Sequence, residues 1–137
     1  MTGRAGRTIR VLIVDDNTDV AASLADLLSL QEDIVTAGVI HRADGLPEQV
    51  ALLKPDVVLL DLSMPGEDPL AALQDLAARH REAGVLICSA YDDPARMELA
   101  MKAGARGYVS KLDEVETIVQ AVRTVATGGV HLPSRRT

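Results

Sequence analysis

The chain has 137 residues, 47% of them hydrophobic and 25% charged, the length and balance of one ordinary soluble domain. Its net charge of −6 argues against direct nucleic-acid binding, which needs a basic face, and its one cysteine, Cys88, excludes an internal disulfide and any multi-cysteine metal site. No apolar run approaches the roughly 18 residues that a membrane span requires, and the opening MTGRAGRTIR lacks the apolar core of a secretion signal. With two tyrosines and neither Phe nor Trp, the core has to be aliphatic.

Residues 1–8 read as a flexible start. Ile9–Val14 is a short apolar run interrupted only by Arg10 and rich in β-branched residues, the mark of a strand buried on both faces. Val20, Leu24, Leu27 and Leu28 then share one face of a predicted helix. Ile34–Ile40 reads as a second strand, Leu46, Val50 and Leu53 as the face of a second helix, and Val57–Leu60 as a third strand. Asp68 before Pro69 suits a helix cap and first helical position, and Leu70, Leu73 and Leu76 follow on one face. Val85–Cys88 is the fourth strand. Asp93 and Pro94 open a fourth helix, in which Met97 and Met101 fill core or interface, and Gly104 closes it. Gly107–Val109 is the fifth strand. Val115, Ile118, Val119, Val122, Val125 and Ala126 form the clearest helical stripe, closed by Gly128. The domain therefore spans 9–128, and 129–137 read as a tail or the start of a linker to an output domain outside the chain.

Strict alternation of strand and helix implies right-handed crossovers and an open parallel α/β sheet covered on both faces. Ligands of such sheets sit beyond the carboxyl ends of the strands. Asp15 and Asp16 follow the first strand, Asp61 the third, Ser89 the fourth, and Ser110 and Lys111 the fifth. The steps from Asp15 to Asp61, Ser89 and Lys111 are 46, 28 and 22 residues, which fit two strand–helix units, then one, then one. These side chains should converge on one edge. Three clustered carboxylates want a hard cation such as Mg2+. An added lysine and hydroxyl suit an arriving phosphoryl group, with one carboxylate as nucleophile. Taken singly, Asp15 or Asp16 could be a helix cap, Asp61 a turn residue, Ser89 a loop hydroxyl and Lys111 a surface charge. Four strand ends carrying compatible groups favour the functional reading.

The sequence resembles a receiver domain of a two-component response regulator. The resemblance lies in Val11-Leu12-Ile13-Val14-Asp15-Asp16-Asn17, in Pro55-Asp56-Val57-Val58-Leu59-Leu60-Asp61-Leu62-Ser63-Met64-Pro65-Gly66, in Leu86-Ile87-Cys88-Ser89-Ala90, and in Ala103-Gly104-Ala105-Arg106-Gly107-Tyr108-Val109-Ser110-Lys111. It implies a flavodoxin-like (βα)5 doubly wound parallel sheet with strand order 2-1-3-4-5. It implies Asp61 as phosphoacceptor, Asp15, Asp16, Asp61 and the Ser63 backbone carbonyl as Mg2+ ligands, and Lys111 as the phosphate-pairing lysine. Ser89 matches the switch hydroxyl and Tyr108 the switch aromatic. The implied partner is a sensor histidine kinase, and the implied output surface, which a homodimer can use, is the fourth helix, fifth strand and fifth helix. A cytoplasmic location goes with such a role.

Leu112 stands where most receivers have a proline after the lysine. That absence, with the ending Ile118-Val119-Gln120-Ala121-Val122-Arg123-Thr124-Val125-Ala126-Thr127-Gly128-Gly129, is similar to NarL/FixJ (LuxR-type) regulators, which continue into a DNA-binding helix-turn-helix. Glu67-Asp68-Pro69 departs from the glycine more common before the third helix and predicts a stiffer loop. Ser63 and Tyr91 occupy positions that tune dephosphorylation in receivers. Two other functions compete: a stand-alone receiver working by protein contact, and an aspartyl-phosphate hydrolase. The hydrolase would need a general acid where Ser63 stands and a substrate cap. His41, His80 and His131 read as solvated, Cys88 as a small core residue, and Arg135-Arg136 as too short for a nucleic-acid patch.

Overall fold

The computed structural model describes residues 8–64, 68–90 and 93–132; the expectations for residues 1–7, Glu67, Tyr91 and 133–137 lie outside them. Among the described residues, five strands alternate with five helices: β1 Ile9–Val14, α1 Thr18–Ser29, β2 Ile34–Ile40, α2 Leu46–Leu53, β3 Val57–Leu60, α3 Pro69–Arg79, β4 Gly84–Ser89, α4 Pro94–Ala103, β5 Gly107–Ser110 and α5 Val115–Ala126. All strand pairs are parallel, in the order β2-β1-β3-β4-β5. This is the expected flavodoxin-like sheet. β4 and β5 run slightly past the apolar runs, because Ser89 pairs with Ser110 and Gly84 with Val57 in ladders indifferent to side-chain polarity.

Alternation along the strands divides the core into two layers. Leu12, Val14, Val58, Leu60, Val85, Ile87 and Tyr108 face one side with residues of α2, α3 and α4. Val11, Ile13, Val57, Leu59, Leu86, Cys88 and Val109 face the other with residues of α1 and α5. Both faces of the central strands are buried, as the uninterrupted apolar runs require. On α1 the shared face is unevenly covered: Leu27 is 37% exposed while Leu24 and Leu28 are buried. Leu27 lies at the margin of the stripe and lines a groove of about 300 Å³ between α1 and α5, with Val20, Leu24, Val115 and Ile118.

Local chemistry sets the helix ends. Asp68 accepts from the Leu70 N–H and Asp93 from the Ala95 N–H, each with proline in the first turn behind it. Gly104 (φ +119°) and Gly128 (φ +90°) take the left-handed conformation at the ends of α4 and α5. Beyond Gly128 the chain turns back along the outer edge of β5. The His131 N–H donates to the Arg106 carbonyl at 2.9 Å, and the Tyr108 N–H donates to the His131 carbonyl at 3.1 Å. A Cβ on Gly107 would lie 3.1 Å from that carbonyl and 2.7 Å from Leu86, so glycine permits the approach. His131, expected to be solvated, is thus held by its backbone and half-buried.

Candidate functional site at the carboxyl edge of the sheet

Asp15 and Asp61 sit one residue beyond β1 and β3, yet both remain in the ladder. The Asp15 N–H donates to Ile40 O and the Asp61 N–H to Val14 O, each at 3.0 Å. Their carboxylates are therefore mounted on rigid strands. Neither caps α1. That work falls to Asn17, whose side chain accepts from the N–H groups of Asp19 and Val20, both at 3.1 Å. Asp15 instead accepts the Asn17 N–H at 2.9 Å and Asp61 the Ser63 N–H at 2.9 Å, which fixes one oxygen of each.

The other oxygens meet Lys111. Its Nζ lies 2.7 Å from Asp15 Oδ2 and 3.3 Å from Asp61 Oδ2. Lys111 is itself held by the sheet, its N–H donating to the Ser89 carbonyl at 2.8 Å. The loop that carries it is tied by Asp113, whose carboxylate accepts the Ser110 N–H at 2.9 Å. Asp16 completes the cluster: one oxygen from each of Asp15, Asp16 and Asp61 lies within 4.8 Å of the others. Asp15 and Asp61 are buried and Asp16 is exposed. Ser89 is fully buried at the end of β4, and Tyr108 is 2% exposed on the neighbouring strand.

The electrostatics are unfinished. Burial pushes the Asp61 carboxyl above its ordinary value, and the Asp15 charge adds to that rise. The Ser63 N–H and the Lys111 ammonium only partly offset it. Burial works against the Lys111 ammonium, but the hydrogen bond to Asp15 and the charges of Asp61 and Asp15 outweigh it and raise its pKa. Cys88, on the strand beside them, is pushed up to about 12 by burial and stays a neutral thiol, as a core residue should. One ammonium among three hard oxygen ligands suits a divalent oxygen-binding cation.

The structure thus brings together Asp15, Asp16, Asp61 and Lys111, with the Ser89 carbonyl on the lysine backbone and the Ser63 N–H on Asp61. It also shows residues the motifs did not single out. His41 Nδ1 lies 2.9 Å from the Asp15 carbonyl, so this histidine, expected to be solvated, is engaged although exposed. Arg96 on α4 reaches the Ser63 hydroxyl at 3.4 Å. His80 is also partly enclosed, 3.6 Å from Glu82. The sequence signal for His41 is only its position directly after β2. Arg96 carries none.

Residues 11–123 match the response regulator receiver domain family. The transcriptional regulatory protein LnrK of Bacillus subtilis is 33% identical over 129 residues, 94% of this chain and 59% of that protein. The oxygen regulatory protein NreC of Staphylococcus epidermidis is 34% identical over 132 residues, 94% of this chain and 60% of that protein. Among solved structures, the signal receiver domain of NarL from Mycobacterium tuberculosis superposes with a TM-score of 0.84 at 30% identity, covering 89% of this chain and 98% of that one. The chain belongs to the response regulator receiver domain family. Within it, its relatives are regulators of the NarL-type, LuxR-family kind. The chain spans about six-tenths of the length of the two curated relatives.

Proposed function

We propose that Asp61 is the phosphoacceptor of a two-component switch and that a sensor histidine kinase supplies the phosphoryl group. An Asp61 oxygen attacks phosphorus, a P–O bond forms as the P–N bond of the phosphohistidine breaks, and the imidazole leaves with the bonding pair. The observation that carries this reading is the single ammonium of Lys111 bonded to both Asp15 and Asp61 in a three-carboxylate cluster. Asp15, Asp16, Asp61 and the Ser63 carbonyl would hold Mg2+. When bound, that ion supplies the positive charge that lets a phosphoryl anion approach three carboxylates. Lys111 then pairs with phosphoryl oxygens in place of carboxylate.

Ser89 and Tyr108 are the proposed switch pair. Support comes from the shared ladder: Ser89 pairs with Ser110, and its carbonyl holds the Lys111 N–H, so the ends of β4 and β5 are tied together beside the phosphoacceptor. The output surface is α4, β5 and α5, where Leu99 of α4, with Val130 and Leu132 of the segment that follows α5 along the edge of β5, offers exposed apolar side chains to a second copy. The naming of LnrK as a transcriptional regulatory protein supports transcription control, exerted in the cytoplasm through a helix-turn-helix C-terminal to the receiver portion. DNA contact would belong to that segment and not to this acidic domain.

The test is phosphorylation by acetyl phosphate with Mg2+. The wild-type chain forms an acyl phosphate and Asp61→Asn forms none. Labelling that persists in Asp61→Asn would overturn the assignment.

A further inference from the structure

All four polar groups of Asp15 are engaged. Its N–H donates to Ile40 O at 3.0 Å, Oδ1 accepts from the Asn17 N–H at 2.9 Å, and Oδ2 lies 2.7 Å from Lys111 Nζ. The fourth is the main-chain carbonyl, 2.9 Å from His41 Nδ1. A carbonyl oxygen only accepts, so Nδ1 carries a proton and is the donor of this contact. Two consecutive residues at the end of β2, Ile40 and His41, thus grip the peptide groups on either side of Asp15.

The carbonyl of Asp15 and the N–H of Asp16 belong to one rigid peptide plane. Holding that oxygen sets the rotation of the plane, and with it the direction in which Asp16 leaves the chain. Asp16 has little else to hold it. It is exposed, and among the described residues its carboxylate accepts no hydrogen bond, whereas Asp15 and Asp61 are buried and pinned. Yet its oxygen lies within 4.8 Å of theirs.

We propose that His41 is a positioning residue for the metal-binding carboxylates: through the Asp15 carbonyl it orients the 15–16 peptide and aims Asp16 into the cluster. This rests on the cation-dependent phosphoacceptor reading of the same site. His41 is not itself a ligand: neither of its ring nitrogens joins the carboxylate oxygens of the cluster. Its contribution should match one net hydrogen bond, about threefold to tenfold in cation affinity.

The experiment is a Mg2+ titration of the apo chain, followed by the amide signals of Asp16 and Asn17, in wild type and three variants. His41→Ala removes the donor, and His41→Phe keeps a ring without it. His41→Asn restores a donor, because the amide nitrogen stands as many bonds from Cα as Nδ1 does. The Mg2+ dissociation constant should rise about threefold to tenfold in His41→Ala and His41→Phe and return toward wild type in His41→Asn, at little change in melting temperature. Ring ¹⁵N shifts of His41 should report the Nδ1-protonated tautomer. Affinities within twofold of wild type in His41→Ala and His41→Phe, no recovery in His41→Asn, or an Nε2-protonated ring would each overturn the role of His41 while leaving the phosphoacceptor standing. If wild type binds no Mg2+ and takes no phosphoryl group, both readings fall together.

Discussion

Two ion-pair sites flank α5, and they have opposite electrostatic character. Just before the N-terminus of the helix, Lys111 meets Asp15 and Asp61, with side-chain exposures of 15%, 3% and 2%. In the last turn, Arg123 meets Asp33 across the surface, with exposures of 39% and 41%. Arg123 binds Asp33 through two parallel hydrogen bonds of 2.9 and 3.0 Å, one per carboxylate oxygen, and the charges balance. Its guanidinium holds the Asp33 carboxyl below its ordinary value, whereas burial lifts that of Asp61. The surface pair is complete in itself. The buried cluster holds more negative charge than its one ammonium neutralises, which is a poor way to stabilise a fold and a good way to bind a cation and an anion together.

Removing the central cation tests this difference most severely. Lys111→Ala leaves two buried carboxylates facing each other without a counter-charge, and the expected loss is about 3 kcal/mol in urea denaturation without divalent cations. Millimolar Mg2+ should return part of that stability, since a ligand that binds only the folded state at ten times its dissociation constant contributes about 1.4 kcal/mol. Acyl-phosphate formation should persist better than switching, read as the beryllofluoride-induced change in Tyr108 signals. Switching equal to wild type in Lys111→Ala would show that the ammonium serves charge balance alone.

A second test reverses the sign. Burial raises the native pKa of Asp61, so between the ordinary 3.8 and that raised value the folded state binds more protons than the unfolded. Stability therefore falls as pH rises through that window, and the cost persists at neutral pH. Asp61→Asn keeps an oxygen for the Ser63 N–H and removes the charge, so the metal-free variant should be more stable than wild type at pH 7, by about 1 kcal/mol. It should also gain less from added Mg2+. A variant less stable than wild type at neutral pH would mean that Lys111 fully compensates the buried carboxylates.

Much of this contrast was legible in the sequence, for identifiable reasons. Val11–Val14 of β1 and all of β3 are buried on both faces, so each reads as an unbroken apolar run, and the first polar residue after it marks the carboxyl edge. Asp15 and Asp61 are legible in that way, and Lys111 follows from the same rule applied to β5, one residue past Ser110. What escaped depends on register between distant segments. His41 meets Asp15 only because β2 pairs with β1 so that Ile40 lies beside Val14, across 26 residues of sequence. Arg96 reaches Ser63 across 33 residues, and Arg123 reaches Asp33 across 90. Leu27 is a different case: its spacing puts it on the apolar face of α1, but how far that face is covered depends on the packing of α5, and Leu27 lines a groove between the two helices and stays 37% exposed.

The surface pair gives the smallest expected effect and the cleanest control. Asp33 has a lowered native pKa, so in the acid window below 3.8 the unfolded state binds more protons. Its contribution is present above that value and lost as pH falls through the native one, the reverse of Asp61. Both partners are more than a third exposed, so solvent and salt screen them, and Arg123→Ala should cost no more than about 1 kcal/mol. The loss should shrink in 1 M salt, and Mg2+ affinity should not change, because Arg123 and Asp33 lie outside the cluster. Arg123→Ala combined with Lys111→Ala should then be additive in stability, as expected for pairs that share no partner. A coupling above about 0.5 kcal/mol would mean that α5 transmits strain between its two ends, and the two sites would have to be treated as one electrostatic unit.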